Sequence, residues 1–226
     1  NNVSILGLPK ENDWILYAPY TDKSLMRNVL TFDIGRKMGW YTSRTRYVEL
    51  FVNGDYRGIY VFMEKLKRDK NRINIAKLDL DDNAGDSLTG GYIIKVDKYT
   101  GTGGDDWLSD FSNIGGGDLY IQYHYPEASI MSQTQKDYIE NYVDSFEYAL
   151  NSSYFSDPNI GYANYTNVNS FIDFYIINEL AKDIDAYRLS TYMYKDRRDN
   201  GGKLTMGPYW DFNLAFGNAD YCDGGD

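Results

Sequence analysis

Two aspartates, each with a polar residue close behind it, are the strongest candidates for chemistry in this sequence. Asp185 follows a predicted helix and is followed by Ser190, whereas Asp211 follows a predicted β-hairpin and is followed by Asn213. Since the hairpin lies between them in the chain, it can place the four side chains around one space. Hard oxygen ligands of this kind suit Mg²⁺. The pattern therefore indicates a magnesium site.

The order of these residues is also that of a phosphoryl-transfer enzyme. In protein kinases one aspartate accepts the proton of the substrate hydroxyl, a residue five places later helps to hold metal, and a hairpin leads to a second metal-binding aspartate. Asp185, Ser190 and Asp211 follow that order. Aspartates that cap helices or stay solvated are common at such positions, so the residues alone leave that alternative open with about equal weight.

Several other reaction classes are disfavoured by the residue inventory. His124 and Cys222 are the single histidine and the single cysteine of the chain, and no Gly-x-Ser-x-Gly motif occurs. A nucleophilic triad needs a catalytic histidine, and a zinc site needs several nitrogen or sulfur ligands. We interpret His124, which lies between tyrosines on a predicted strand, as structural.

Composition narrows the range of partners. The 226 residues include 33 acidic and 23 basic side chains, which gives a formal net charge of −10. This charge repels phosphate backbones, so we expect no nucleic-acid partner. Hydrophobic residues make up 42% of the chain, enough for a core, but no run approaches the roughly 20 apolar residues of a membrane helix. We therefore predict a globular chain with no membrane span.

The first part of the chain predicts one helix and one hairpin. Helical spacing of apolar residues extends over 22–39, where Ser24 can serve as the cap. Two β-rich runs over 47–64 flank Asn53-Gly54, a strong signal for a tight hairpin turn. Gly58 indicates a bulge in the second strand.

The rest of the chain alternates strands and helices. A Gly- and Asp-rich segment, 100–117, is predicted to be a flexible excursion. The other predicted elements are strands at 91–97 and 118–123, helices at 132–151 and 167–181, and strands at 190–196 and 203–206. Together these elements predict an α+β fold.

Four blocks of sequence point to a known family. They are Ser24–Asn28, Phe51–Lys65, Asp185–Ser190 and Pro208–Gly217. In this order the blocks resemble the CotH family, the spore-coat-protein-H-type atypical protein kinases. The match is specific because the four blocks span nearly the whole chain.

The resemblance implies a divergent, two-lobed, protein-kinase-like fold. It implies transfer of the γ-phosphoryl group of ATP, with Mg²⁺, to Ser or Thr of secreted or surface proteins, and an extracellular or cell-envelope location. By position, Asp185 corresponds to the catalytic aspartate, and Asp211 and Asn213 to the metal-binding motif. Ser190 stands where typical kinases have a metal-binding asparagine, and a hydroxyl is a weaker ligand than an amide carbonyl.

The resemblance also implies a nucleotide site. It places Met63 and Glu64 near the adenine, and Arg27 toward the phosphates; a surface arginine on an amphipathic helix is the alternative for Arg27. Family members usually carry, upstream of the region matched here, a segment whose lysine would hold the phosphates. We therefore interpret the chain, which begins at Asn1, as a kinase-like domain whose N-terminal part is truncated.

Within that domain we expect three regions. They are an N-lobe-like helix and hairpin over about 1–75, strands and a flexible loop over about 76–130, and a helical C-lobe with the metal-binding hairpin loop over about 131–226. Two other functions stay open. One is a non-catalytic extracellular module that binds glycans or proteins through the chain's 23 tyrosines; the other is a pseudokinase that binds nucleotide without transferring phosphate.

Overall fold

The computed structural model describes residues 2–99, 105–112 and 117–224. Within them lie four α-helices and eight strands, and the strands form two antiparallel sheets. The predicted α+β class is therefore confirmed. None of the described helices is both long enough and apolar enough to cross a membrane.

The chain divides into two compact units. Unit 1 comprises Asn1–Ile73, Ile177–Ile184 and Pro208–Asp226, and unit 2 comprises Asn74–Ile176 and Asp185–Gly207. Residues 131–226, which the sequence groups together, are thus shared by the two units. The loop that carries Asp211 and Asn213 belongs to unit 1, and the segment that carries Asp185 and Ser190 belongs to unit 2.

Unit 1 is built on a three-stranded sheet in the order β1-β3-β2. Its strands are β1 (Trp14–Tyr17), β2 (Thr45–Val52) and β3 (Asp55–Glu64). Asn53 and Gly54 both have positive φ, as a two-residue hairpin turn requires, so the predicted hairpin is confirmed. The register shifts after Leu50, which pairs with Gly58 at a φ of +100°, so the predicted bulge is confirmed as well.

Helix α1 (Arg27–Lys37) completes the core of unit 1. That core consists of Phe32, Val61 and Met63, with partly buried neighbours that include Trp210. The helix begins later than the predicted 22, and Ser24 is not its N-cap residue. Instead, Asp22 Oδ2 accepts the backbone N–H of Arg27 at 2.9 Å. A side chain outside the helix therefore satisfies the first backbone donor.

Unit 2 is built on a five-stranded sheet in the order β5-β6-β4-β7-β8. Its strands are β4 (Tyr92–Val96), β5 (Asp106–Leu108), β6 (Tyr120–Tyr125), β7 (Thr191–Lys195) and β8 (Thr205–Met206). The predicted strands at 91–97, 118–123 and 190–196 are confirmed, and β8 is shorter than the predicted 203–206. Strand β5 lies inside the segment that was predicted to be a loop. The rest of that prediction falls partly on residues 100–104 and 113–116, outside the described residues.

The remaining helices are α2 (Gly85–Leu88), α3 (Gln133–Asn151) and α4 (Val168–Ala181). Both long helices are confirmed at close to the predicted bounds. Helix α3 begins with a capping box, because the Ser132 side chain accepts the backbone N–H of Gln135 while the Gln135 side chain accepts that of Ser132. Its buried Ile139 and Val143 join the strands of the sheet in the core of unit 2.

Candidate functional site

The loop that carries Asp211 has an unusual backbone. Asp211 adopts a left-handed conformation, with φ +67° and ψ +43°, immediately before the 3₁₀ turn Phe212–Leu214. Just before it, Trp210 stacks on Phe32 of α1 with 5.8 Å between the ring centroids. Left-handed backbone is uncommon for residues other than glycine and costs energy, so the packing around it must hold it in place.

Asn213 connects Asp211 to the segment that precedes α1. One end of its side-chain amide lies 2.7 Å from Asp211 Oδ1, and the other end lies 3.2 Å from Thr21 Oγ1. With the amide nitrogen toward Asp211, Asn213 donates a hydrogen bond to the carboxylate. With the amide oxygen toward Asp211, the two oxygens face each other, and a shared cation would stabilise that arrangement.

Asp22 and Arg27 form the charged pair of the same unit. The Asp22 side chain is nearly inaccessible to solvent, and Arg27 Nη1 donates to its Oδ1. Ser24 Oγ also donates to Asp22 Oδ1, at 2.6 Å. Burial raises the pKa of Asp22, but the hydrogen bonds from Ser24 and Arg27 outweigh burial and hold its pKa below the usual range. Asp22 is therefore an anion that fixes Arg27 in place.

Tyr17, at the end of β1, links Asp22 to Asp211. Burial raises the pKa of the Tyr17 hydroxyl to about 12, the carboxylates of Asp211 and Asp22 add to the rise, and a hydrogen bond from Asn28 opposes it. Both carboxylates therefore act on the same hydroxyl. No described residue donates a hydrogen bond to the buried Asn28 Oδ1. An acceptor in this state is suited to a ligand or a bound water.

These residues form what we call the polar cluster of unit 1. Its members are Tyr17, Asp22, Arg27, Asn28, Asp211 and Asn213. The structure thus brings together three residues that the sequence singled out, Arg27, Asp211 and Asn213.

Met63 and Glu64, at the end of β3, are both buried. Met63 belongs to the core of unit 1. Glu64 Oε1 pairs with Arg44 Nη1 at 2.9 Å and lies 3.9 Å from Arg72 Nε, and Glu64 Oε2 accepts the Tyr41 hydroxyl at 3.3 Å. The Glu64 carboxylate is therefore committed to an internal ion-pair network.

Asp185 and Ser190 lie in unit 2, in the segment between α4 and β7. Arg188 donates to Asp185 Oδ1, and the backbone carbonyl of Asp185 accepts the N–H of Leu189 at 3.1 Å. Ser190 has a positive φ of 48°, immediately before the first residue of β7. The Asp185 side chain is 23% exposed, so it is accessible to solvent although it is paired.

A family model for the CotH kinase protein matches residues 1–226, the whole length of the chain. The chain belongs to the CotH kinase family. This membership carries kinase-like activity at the level of the family, and it confirms the resemblance that the four sequence blocks indicated. No curated protein matches the chain.

The polar cluster of this CotH-family chain offers the donors that Mg²⁺ takes. Asp211 supplies a carboxylate, the side-chain amide of Asn213 lies 2.7 Å from it, and Asn28 Oδ1 is a buried acceptor that no described residue satisfies. Groups of three or more His, Cys, Asp or Glu side chains that could hold a metal are absent from the described part of the chain. Mg²⁺ usually keeps several waters and takes one or two carboxylates plus substrate phosphates, so a smaller set of ligands fits it.

Sequence reasoning missed half of the polar cluster. Tyr17, Asp22 and Asn28 carry no motif that marks them as functional, although Asn28 closes the Ser24–Asn28 block that resembles the family. The available signal was local: Asp22 is the first residue of the segment predicted to be helical, and a cation, Arg27, follows five places later. An aspartate before a helix is a common cap, so that signal predicted capping rather than a charged cluster.

Proposed function

We propose that this chain is an ATP- and Mg²⁺-dependent kinase domain that phosphorylates Ser or Thr of secreted or surface proteins. The observation that carries the proposal is the family match over the whole chain. The polar cluster supports it, because Asp211 and Asn213 lie in the same unit as a buried acceptor, Asn28, and as Arg27, which Asp22 holds in place. A divergent two-lobed kinase-like fold and an extracellular or envelope location are parts of the same proposal.

Each functional residue has one role in this proposal. Asp185 orients the acceptor hydroxyl and takes its proton as the hydroxyl oxygen attacks the γ-phosphorus and the bond to ADP breaks. Asp211 and Asn213, both in unit 1, would hold Mg²⁺. When bound, the metal neutralises charge on the β- and γ-phosphates.

Arg27 and the end of β3 complete the proposed nucleotide site. Arg27 keeps its planar fork at the cluster because Asp22 holds it, and it supplies positive charge for the phosphates. Met63 and Glu64 are the residues proposed near the adenine. Since the Glu64 carboxylate is engaged by Arg44 and Tyr41, we assign Glu64 the task of keeping the end of β3 rigid.

The first test is nucleotide binding by the chain as it stands. A ligand that binds only the folded state must raise the melting temperature, so we expect Mg²⁺-ATP to stabilise the parent chain and to lose that effect in Asp211→Ala. Asp55→Ala is the matched control, because it removes an exposed carboxylate of the same unit. An equal Mg²⁺-dependent shift in Asp211→Ala and the parent would overturn the metal assignment.

The second test is phosphoryl transfer. With labelled ATP and a Ser/Thr-rich acceptor peptide, we expect Asp185→Asn to reduce the rate by about 10²- to 10⁴-fold, the usual contribution of a general base. The melting shift with Mg²⁺-ATP should survive in this variant. Transfer at the parental rate by Asp185→Asn would refute the assignment of the base. Nucleotide binding by the parent without any transfer would favour a pseudokinase.

A further inference from the structure

Unit 2 contains a pocket that no sequence motif indicated. Its volume is about 630 Å³, within the range of small-molecule sites. Tyr138 and Tyr142 of α3 line it together with Lys195 at the end of β7 and Lys203 before β8. Every lining residue belongs to unit 2, whereas the polar cluster lies in unit 1.

Lys195 is a buried ammonium group in this pocket. Its residue is 1% exposed, and its Nζ donates to the backbone carbonyls of Thr89 and Asp196. The Nζ also lies 4.5 Å from the ring centroid of Tyr142 and 5.4 Å from that of Tyr138. Asp86 and Asp196 act on it electrostatically, but none of the ion pairs among the described residues involves Lys195. Backbone carbonyls and aromatic rings hold this ammonium group, but a buried cation without a paired anion is still costly to retain.

Two further cations line the same pocket. Arg198 donates a hydrogen bond to the Tyr138 hydroxyl, and Lys203 Nζ donates to the backbone carbonyl of Ala163 at 2.5 Å. Among the described residues, neither Arg198 nor Lys203 belongs to an ion pair with a carboxylate. The lining contains no Asp or Glu, although the chain as a whole has 33 of them. We call this site the cationic pocket.

The titration of Lys195 reflects this excess of positive charge. Burial lowers the pKa of Lys195, the neighbouring Arg198 lowers it further, Asp86 and Asp196 oppose the shift, and the resulting pKa is about 8. An anion bound in the pocket would offset both the burial of Lys195 and its repulsion by Arg198.

We propose that the cationic pocket binds a small organic anion, of the class of sugar phosphates and sugar acids. The anionic group would be bound by the exposed Arg198 and Lys203 and attracted by the buried ammonium group of Lys195. The uncharged part would pack against Tyr138 and Tyr142, whose partly exposed rings provide apolar contact area. The volume of the pocket exceeds what an inorganic ion needs, and this is why the ligand is assigned an organic body. The proposal is independent of the kinase activity proposed above.

Calorimetric titration of the whole chain tests this assignment. The probes are glucose 6-phosphate and glucuronate. Glucose, which lacks the anionic group, and inorganic phosphate, which lacks the sugar, are the controls. We expect at least one of the two organic anions to bind at millimolar concentration or below, more tightly than both controls. Failure of both organic anions to bind would overturn the proposal, and so would equal binding of glucose or of inorganic phosphate.

Variants locate the binding in the pocket. Arg198→Gln/Lys203→Gln removes two exposed cations of the rim, and we expect it to weaken binding by about tenfold or more, because charge-assisted contacts are lost. Lys10→Gln/Arg57→Gln, which removes the same charge from exposed positions in unit 1, should bind like the parent. Equal affinity of the rim variant and this control would overturn the site. Asp211→Ala should leave binding intact, so failure of this proposal can be told apart from failure of the kinase assignment.

Discussion

The polar cluster of unit 1 and the cationic pocket of unit 2 differ in how their charged side chains are compensated. In the polar cluster a buried aspartate, Asp22, is paired with Arg27, and a second carboxylate, Asp211, acts on the same tyrosine. In the cationic pocket the charged residues are all cations, and none is paired with a described carboxylate. The first arrangement suits a metal cation with its nucleotide, and the second suits an anion.

The contrast shows that net charge alone is a poor guide to ligands. The chain carries −10 overall, yet it contains a pocket whose charged lining is entirely basic. A titratable reporter marks each site: the pKa of Tyr17 is raised by burial and by two carboxylates, and the pKa of Lys195 is lowered by burial and by an arginine. Local neighbours therefore decide what each site can bind.

The largest expected effect comes from removing the paired charge of the polar cluster. Asp22→Asn removes the counter-charge of Arg27, whose side chain is 17% exposed. Removing one partner of a buried ion pair usually costs 3–5 kcal/mol; partial solvation of Arg27 places the expected loss at about 3 kcal/mol. Denaturant unfolding measures it. Asp33→Asn, which breaks exposed pairs on α1, should cost less than about 1 kcal/mol. Equal losses would mean that the Asp22 pair is not special.

The second largest effect concerns the unpaired cation of the pocket. Between pH 8 and 10.5 the unfolded chain keeps the Lys195 proton while the folded chain, with a Lys195 pKa of about 8, releases it. The folded state of the parent therefore gains stability as pH rises. We expect the stability of Lys195→Met relative to the parent to be greatest at or below pH 8 and to fall by about 2 kcal/mol by pH 10. Parallel unfolding curves record this difference, and the tyrosines common to both chains cancel. A difference that does not change with pH would contradict the burial of a charged Lys195.

A smaller effect tests whether Asp211 acts within the polar cluster. Asp211→Asn removes one of the two carboxylates that raise the pKa of Tyr17 to about 12. We expect this pKa to fall by roughly half a unit to one unit. Spectroscopic titration of labelled tyrosine detects the change, and Asp55→Asn serves as the control. An unchanged Tyr17 pKa would separate Asp211 from the cluster.

The smallest expected effect concerns the repulsion between Arg198 and Lys195 in the cationic pocket. Arg198→Gln removes the cation that lowers the pKa of Lys195, so this pKa should rise from about 8 by roughly half a unit. Since Arg198 is exposed, the difference between variant and parent should shrink in high salt. NMR titration of the lysine side chain measures both. A pKa that falls in the variant would contradict the repulsion between the two cations.

Local signals in the sequence were sufficient for most of the fold. Asn53-Gly54 predicted the hairpin because the turn requires positive φ at both residues. The start of α3, predicted at 132, is stabilised by the capping box of the adjacent Ser132 and Gln135. By contrast, β5 (Asp106–Leu108) lies in a Gly- and Asp-rich segment and owes its conformation to pairing with β6. Such tertiary pairing leaves little trace in local propensity.

The functional residues followed the same division. Asp211 and Asn213 were predicted from their position after the hairpin, and Arg27 from the resemblance to a family. Tyr17 and Asp22 join them only through the folding of unit 1. The cationic pocket has no sequence motif, since it combines α3 with the segment around β7 and β8, more than forty positions away. No local sequence pattern predicts that these two segments lie side by side, so the pocket is recognised only in the three-dimensional structure.

The burial of Lys195 has a consequence for laboratory evolution. Holding an ammonium group in a site that lowers its pKa to about 8 works against folding, so an apolar residue of similar shape should give a more heat-resistant chain. A library selected on thermostability alone would therefore discard this lysine early. Conversely, selection for function in the parent organism would retain Lys195 despite its destabilising effect. Such retention would indicate that the cationic pocket has a function.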